Sequence, residues 1–169
     1  MALPLATAQQ AKLDHVLNKI MLKPGERLLD IGCGWGALAM RAAEKFGAQV
    51  VGVTLSKQQF QLARERVAQA GLPDRVDIRL QDYRDLGADE GHFDKITSIG
   101  MFEHVGPKNH AAFFDAARRL LDPQGLMLLH TIGLAVGWSL RGANVWVPRV
   151  LGGAVAAFGS ALLILQLTN

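Results

Sequence analysis

The chain is predicted to fold as an α/β domain around a doubly wound parallel sheet. Short apolar runs alternate with longer amphipathic segments from Leu5 to Ile132, the pattern that sets helices across both faces of a parallel sheet. The first apolar run, Leu28-Leu29-Asp30-Ile31, leads straight into the turn Gly32-Cys33-Gly34-Trp35-Gly36, which places bare backbone at the carboxyl rim of such a sheet. Half of the 169 residues are apolar, enough to bury one core.

Each element has its own warrant. Leu13, Val16, Leu17 and Ile20 share a helical face, which predicts a helix from Thr7 to Met21 that Pro24-Gly25 ends. Leu28 to Ile31 is the first strand. Ala37 to Phe46 is rich in helix formers, and Gly47 stands where a C-terminal cap belongs. Gln49 to Thr54 is the second strand. Ser56 caps a helix whose Phe60, Ala63, Val67 and Ala70 lie on one side, closed by Gly71-Leu72-Pro73. Val76 to Leu80 alternates as a third strand, and Phe93 to Gly100 reads as a fourth after a polar loop. Asn109 is placed to cap a helix carrying Phe113, Phe114, Ala117, Leu120 and Leu121, after which Pro123-Gln124-Gly125 turns into a fifth strand, Leu126 to Ile132. Crossovers of this kind are right-handed and leave a ligand crevice at the strand carboxyl ends.

Composition narrows the functional classes. The formal charge of +3 is modest and its basic residues are interspersed with acids, so nucleic acid is not an expected partner. One cysteine excludes an internal disulfide and a cysteine-built zinc site, and no metal site is predicted. The start Met-Ala-Leu-Pro has neither the charged region nor the apolar run of a signal peptide, which predicts a cytoplasmic location.

After Gly133 the pattern changes. No acid occurs beyond Asp122, and Arg141 and Arg149 are the only charged residues from 134 to 169. Val150 to Leu165 is an uncharged run of 16 residues with three glycines, shorter than the roughly 20 needed for a span, so a buried or interfacial helix is expected. Residues 1–133 are thus read as the folded core and 134–169 as a separate apolar tail, expected to come from a truncated or altered gene product, with a helix that covers the exposed sheet edge or touches lipid as the other reading.

The glycine turn predicts a nucleotide-like cofactor. Gly32, Gly34 and Ala37 also fit dinucleotide spacing. However, the second strand ends in Thr54-Leu55-Ser56 and continues to Gln59, with no carboxylate for a ribose. Hydroxyl and amide groups there can serve the diol instead. Gln81-Asp82-Tyr83 follows the third strand, where Asp82 can accept from an adenine amino group and Tyr83 can frame the base; a polar loop explains the segment equally well. Gly100-Met101-Phe102-Glu103-His104-Val105-Gly106 follows the fourth strand and joins ionisable groups to apolar walls. His130 ends the fifth. A lone histidine is usually structural, a reading stronger for His104 than for His130. Cys33, without a base nearby in sequence, is read as a packed thiol.

Leu-Asp-Ile-Gly-Cys-Gly-Trp-Gly at 29–36, with Val-Thr-Leu-Ser-x-x-Gln at 53–59, resembles the S-adenosylmethionine (SAM)-dependent methyltransferases of the cyclopropane-fatty-acyl-phospholipid synthase and mycolic acid cyclopropane synthase family. The resemblance covers Leu5 to Gly133. It implies a Rossmann-like class I methyltransferase core that adds a methylene from SAM across a cis double bond of an unsaturated phospholipid acyl chain. Peripheral contact at the inner membrane face would go with such a substrate.

By the same resemblance, Gly32, Gly34 and Gly36 lie against the aminocarboxypropyl part of SAM and Asp30 faces its ammonium. Thr54, Leu55, Ser56 and Gln59 serve the ribose, Asp82 and Tyr83 the adenine, and Gly100 the rim nearby. Glu103 and His130, with the backbone of Ile132, are implied to hold bicarbonate as the base that removes a proton from the carbocation. Trp35, Phe102 or Tyr83 would stabilise that cation by about 0.5–2 kcal/mol each. Two other readings stand beside it: a SAM-binding remnant without turnover, and a methyltransferase for another small acceptor.

Overall fold

The computed structural model describes residues 4–131 and the strand 161–165. Strands β1 (Arg27–Ile31), β2 (Gln49–Thr54), β3 (Val76–Leu80), β4 (Phe93–Ile99), β5 (Leu121–Thr131) and β6 (Ala161–Leu165) form one sheet in the order β3-β2-β1-β4-β5-β6. The first five run parallel, and β6 joins β5 antiparallel. Helices α1 (Leu5–Lys19), α2 (Ala37–Phe46), α3 (Lys57–Gln69) and α4 (His110–Leu120) complete the layers. The sheet grows outward from β1 to β3 and then restarts on the other side of β1 with β4. That reversal opens a crevice above the carboxyl ends of β1 and β4.

The apolar strand runs exist because both faces of the sheet are covered. Along β1 successive side chains point to opposite layers. Leu28 packs with Leu17, Ile20, Ala39, Ala42 and Ala63 from the α1, α2 and α3 side. Leu29 and Ile31 pack with Leu86, Phe93, Phe113, Leu120 and Met127 on the α4 side. Asp14 ties α1 to α2 through Arg41 at 2.7 and 2.9 Å and Lys45 at 2.7 Å. Those two cations, Arg41 foremost, hold its carboxyl well below the usual carboxylate range.

Helix α1 closes through paired backbone bonds, Met21 N to Asn18 O at 2.9 Å and Leu22 N to Leu17 O at 3.2 Å. This cap sets Met21 in the left-handed region at φ 52°, where glycine is the usual occupant. Met21 is 61% exposed, so its side chain contributes little packing. Met21→Gly is therefore expected to raise stability by about 0.5–1 kcal/mol, measured as the shift in urea midpoint; an unchanged or lowered midpoint contradicts the strain argument.

Three sequence expectations need correction. Asn109 sits at the N-cap position of α4 without a side-chain cap; its amide donates to the carbonyl of Val105 at 2.9 Å, because the 3₁₀ turns at 102–104 and 107–109 bring that acceptor closer. Strand β5 begins at Leu121 rather than Leu126. Between the pairs Phe93↔Leu121 and Lys95↔Leu126, β4 advances two residues and β5 five, so the Pro123-Gln124-Gly125 turn is taken up as a bulge. Residues 161–165, expected within a helix, form β6 beside β5, where pairing satisfies backbone groups that an uncovered edge leaves open. Among the described residues no helix is long and apolar enough to cross a membrane.

Candidate cofactor site

A cavity of about 570 Å³ lies over the carboxyl ends of β1 to β4. Its floor is the turn after β1. The amides of Gly32 and Cys33 both donate to Val53 O, at 2.9 and 3.0 Å, which staples the turn to β2. Gly32 and Gly34 have φ of 81° and 56°. A Cβ on Gly32 would meet Met101 at 2.8 Å, whereas a Cβ on Gly34 would meet nothing within 4 Å. Gly34 therefore offers bare backbone to the cavity. Gly36 does not line it: a Cβ there would stand 3.2 Å from Ala63 Cβ, so this glycine lets α2 pack on α3.

The β2 wall is polar. Buried Thr54 donates through Oγ1 to Gln59 Oε1 at 2.8 Å and accepts from Ser56 N at 3.2 Å. Ser56 caps α3 by accepting from Gln59 N at 3.3 Å, as its sequence position suggests. Holding the amide oxygen of Gln59 leaves its NH₂ group free to donate into the cavity. Leu55 forms an exposed apolar rim. On the β3 wall, Asp82 accepts from Arg84, and the Tyr83 ring stands edge-on to Phe113 at 5.4 Å and 72°. Both line the cavity.

The β4 wall is made by Ile99, Gly100, Met101, His104 and Val105. Gly100 N donates to His130 O at 2.9 Å, which joins the ends of β4 and β5. His104 is exposed and lines the cavity, contrary to its reading as a structural histidine. The 3₁₀ turn at Phe102–His104 points it away from the core. Glu103 accepts from Thr131 Oγ1 at 3.0 Å. Neither Glu103 nor His130 lines the cavity. Thr131 and His130 are neighbours on β5 with side chains on opposite faces, and no hydrogen bond joins the side chains of Glu103 and His130 among the described residues. Ile132 lies outside the described residues.

Of the three aromatic candidates, Tyr83 alone lines the cavity. Phe102 stacks on His110 at 4.4 Å and packs against Phe113 and Phe114 at 5.0 and 5.6 Å, so its ring is spent in an aromatic cluster. Trp35 is 47% exposed and beyond the lining. Met101 lines the cavity, within the segment read as an apolar wall. Arg84, which also contributes to the walls, was not singled out from sequence: its place depends on a turn after β3, and no local pattern distinguishes it from an ordinary loop residue.

Asp30 is buried at 3% exposure and does not line the cavity. Thr97 Oγ1 donates to it at 2.9 Å. Burial pushes its carboxyl up to about 6, partly offset by that bond. Burial, and then the charge of Asp30, push the neighbouring Cys33 thiol up to about 12, the behaviour of a packed thiol. Since native Asp30 binds its proton more tightly than the unfolded chain, its contribution to stability falls as pH rises from about 4 to 6. Asp30→Asn lacks this dependence. Relative to the original chain it should gain on the order of 3 kcal/mol between pH 4 and pH 7, read from urea unfolding at both values; parallel pH profiles would refute it.

Solved structures fix the class. The chain matches mycolic acid cyclopropane synthase CmaA1 complexed with SAH and CTAB at TM-score 0.74 and 39% identity, over 89% of this chain and 52% of that one. It matches coclaurine N-methyltransferase bound to N-methylheliamine and SAH at TM-score 0.70 and 28% identity, over 77% of this chain and 38% of that one. The fold is that of the class I SAM-dependent methyltransferases. The model of the mycolic acid cyclopropane synthetase family matches residues 2–147, and the chain belongs to that family. Cyclopropane-fatty-acyl-phospholipid synthase of Escherichia coli (strain K12) is 54% identical over 129 residues, 76% of this chain. Cyclopropane mycolic acid synthase 1 of Mycobacterium tuberculosis (strain ATCC 25618 / H37Rv) is 48% identical over 132 residues, also 76% of this chain. The chain spans 32% of the first relative's length and 44% of the second's.

Proposed function

We propose that the chain is a SAM-dependent methyltransferase unit that adds a methylene across a cis double bond of an unsaturated phospholipid acyl chain. The observation that carries this reading is the cavity at the β1/β4 reversal, with Gly34 backbone open to it and a hydroxyl–amide pair on the adjoining wall. The relatives' names support the substrate class. SAM supplies an electrophilic sulfonium methyl when bound. Gly32 and Gly34 admit its amino-acid end. Thr54 orients Gln59 toward the ribose with Ser56 and Leu55 at the rim, Asp82 and Tyr83 meet the base, and Gly100 borders the sulfonium side. Asp30 acts from outside the cavity lining, where it is hydrogen-bonded to Thr97 of β4, and Gly36 through helix packing.

Glu103 and His130 suit bicarbonate by donor type, since a carboxylate can take its O–H and an imidazole N–H can serve its oxygens. Thr131 donates to the Glu103 carboxylate, and Ile132 follows directly in sequence. An acyl chain presented by a bilayer calls for peripheral contact at the inner membrane face.

Calorimetric titration with S-adenosylhomocysteine beside NAD tests the cofactor, and preference for NAD defeats the reading. Single-turnover methyl transfer to unsaturated phospholipid vesicles with bicarbonate tests the reaction. Cofactor binding without transfer identifies a remnant.

A further inference from the structure

The β3 wall carries a carboxylate whose bonding capacity is nearly filled by its own loop. Asp82 Oδ1 accepts from Arg84 N at 2.9 Å and from Arg84 Nε at 3.0 Å, while Oδ2 accepts from Arg84 Nη2 at 2.6 Å. A carboxylate offers roughly four acceptor positions. The one left over belongs to Oδ2, and Asp82 faces the cavity. Arg119 of α4 donates to the carbonyls of Arg84 and Leu86, which fixes the backbone that carries the fork. An ionised carboxylate can only accept, and the guanidinium beside Asp82 holds its carboxyl below the usual range.

We propose that Arg84 is a positioning residue that holds the acceptor-only carboxylate of Asp82 in one orientation, so that the cavity selects a 6-amino purine over a 6-oxo purine at the base end of its cofactor. This rests on the SAM reading above. An exocyclic amino group has an N–H for the remaining lone pair. A 6-oxo group would set its own lone pairs against a fixed anion, an unmet contact that binding sites reject strongly. Without the fork, Asp82 can rotate away from the base and tolerate either one. The bidentate geometry matters as well as the charge, because a lysine ammonium cannot reproduce two parallel bonds.

The test is calorimetric titration of the chain, Arg84→Ala and Arg84→Lys with S-adenosylhomocysteine and with S-inosylhomocysteine. The original chain should prefer the adenine compound by at least about tenfold. Arg84→Ala should bring the ratio below about threefold, with Arg84→Lys between them. The Arg84 side chain is 56% exposed, so its removal leaves the core intact; should Arg84→Ala fail to fold, the Arg84→Lys ratio decides alone. An unchanged ratio in the variants, or equal binding of both compounds by the original chain, overturns this inference and leaves the cofactor reading standing. Binding of neither compound overturns the cofactor reading, and this inference with it.

Discussion

Phe113→Ala is expected to destabilise the fold by about 3–5 kcal/mol, the range for emptying a buried aromatic position. Phe113 is fully buried on α4 and meets Tyr83, Phe102 and Phe114 with ring centroids 5.0 to 5.4 Å apart. Two of those partners carry the site: Tyr83 is a cavity wall, and Phe102 anchors the turn that holds Glu103 and His104. The cavity left by the phenyl ring therefore loosens the β3 and β4 walls together. Urea unfolding should show a greatly lowered midpoint with a similar slope, and affinity for S-adenosylhomocysteine should fall even where the variant remains folded. A loss below about 1 kcal/mol would mean that the aromatic cluster is not a packed unit.

Gly32→Val should abolish binding of S-adenosylhomocysteine, a loss of at least about a hundredfold, or about 2.7 kcal/mol. Two costs combine. The φ of 81° is one that a β-branched residue resists, and the new Cβ would lie 2.8 Å from Met101 Cβ and Cγ, forcing that side chain into the cavity or the turn off β2. Gly34→Ala separates strain from occlusion. Its Cβ meets no protein atom within 4 Å, so the backbone cost should stay near 1–2 kcal/mol while the ligand still loses its approach. Both are measured by calorimetry alongside thermal unfolding. Wild-type affinity in Gly34→Ala would show that the turn is not the cradle.

Much of the site was legible locally. The β1 run, the turn 32–36, the Ser56 cap and the hydroxyl–amide pair at 54–59 are signals read within a few residues, because strand burial, positive φ and capping are short-range requirements. The remaining walls were legible only in part: Asp82, Tyr83 and Gly100 stand in the lining, whereas the part played by Arg84 was not readable. His104 reads as a core histidine until a 3₁₀ turn exposes it, and Phe102 reads as a cation-stabilising face until three neighbouring rings claim it. The stretch 161–165 has no charge pattern from which to tell a strand from a helix, and its pairing partner, β5, lies thirty or more residues earlier.

From the chain of amino acids alone follow the alternating α/β order, the family resemblance, and the place of the glycine turn at a strand's carboxyl end. Hydrophobic periodicity and backbone conformational preference are local properties, which is why they survive in one dimension. Tertiary structure alone decides that Asp30 is buried on Thr97 rather than facing the cavity, that Gly36 serves helix packing, that Glu103 rests on Thr131, and that Arg84 grips Asp82. Each of these depends on how side chains meet once strands and turns are assembled in space. Burial and hydrogen-bond partnership are properties of that assembly and not of any one segment.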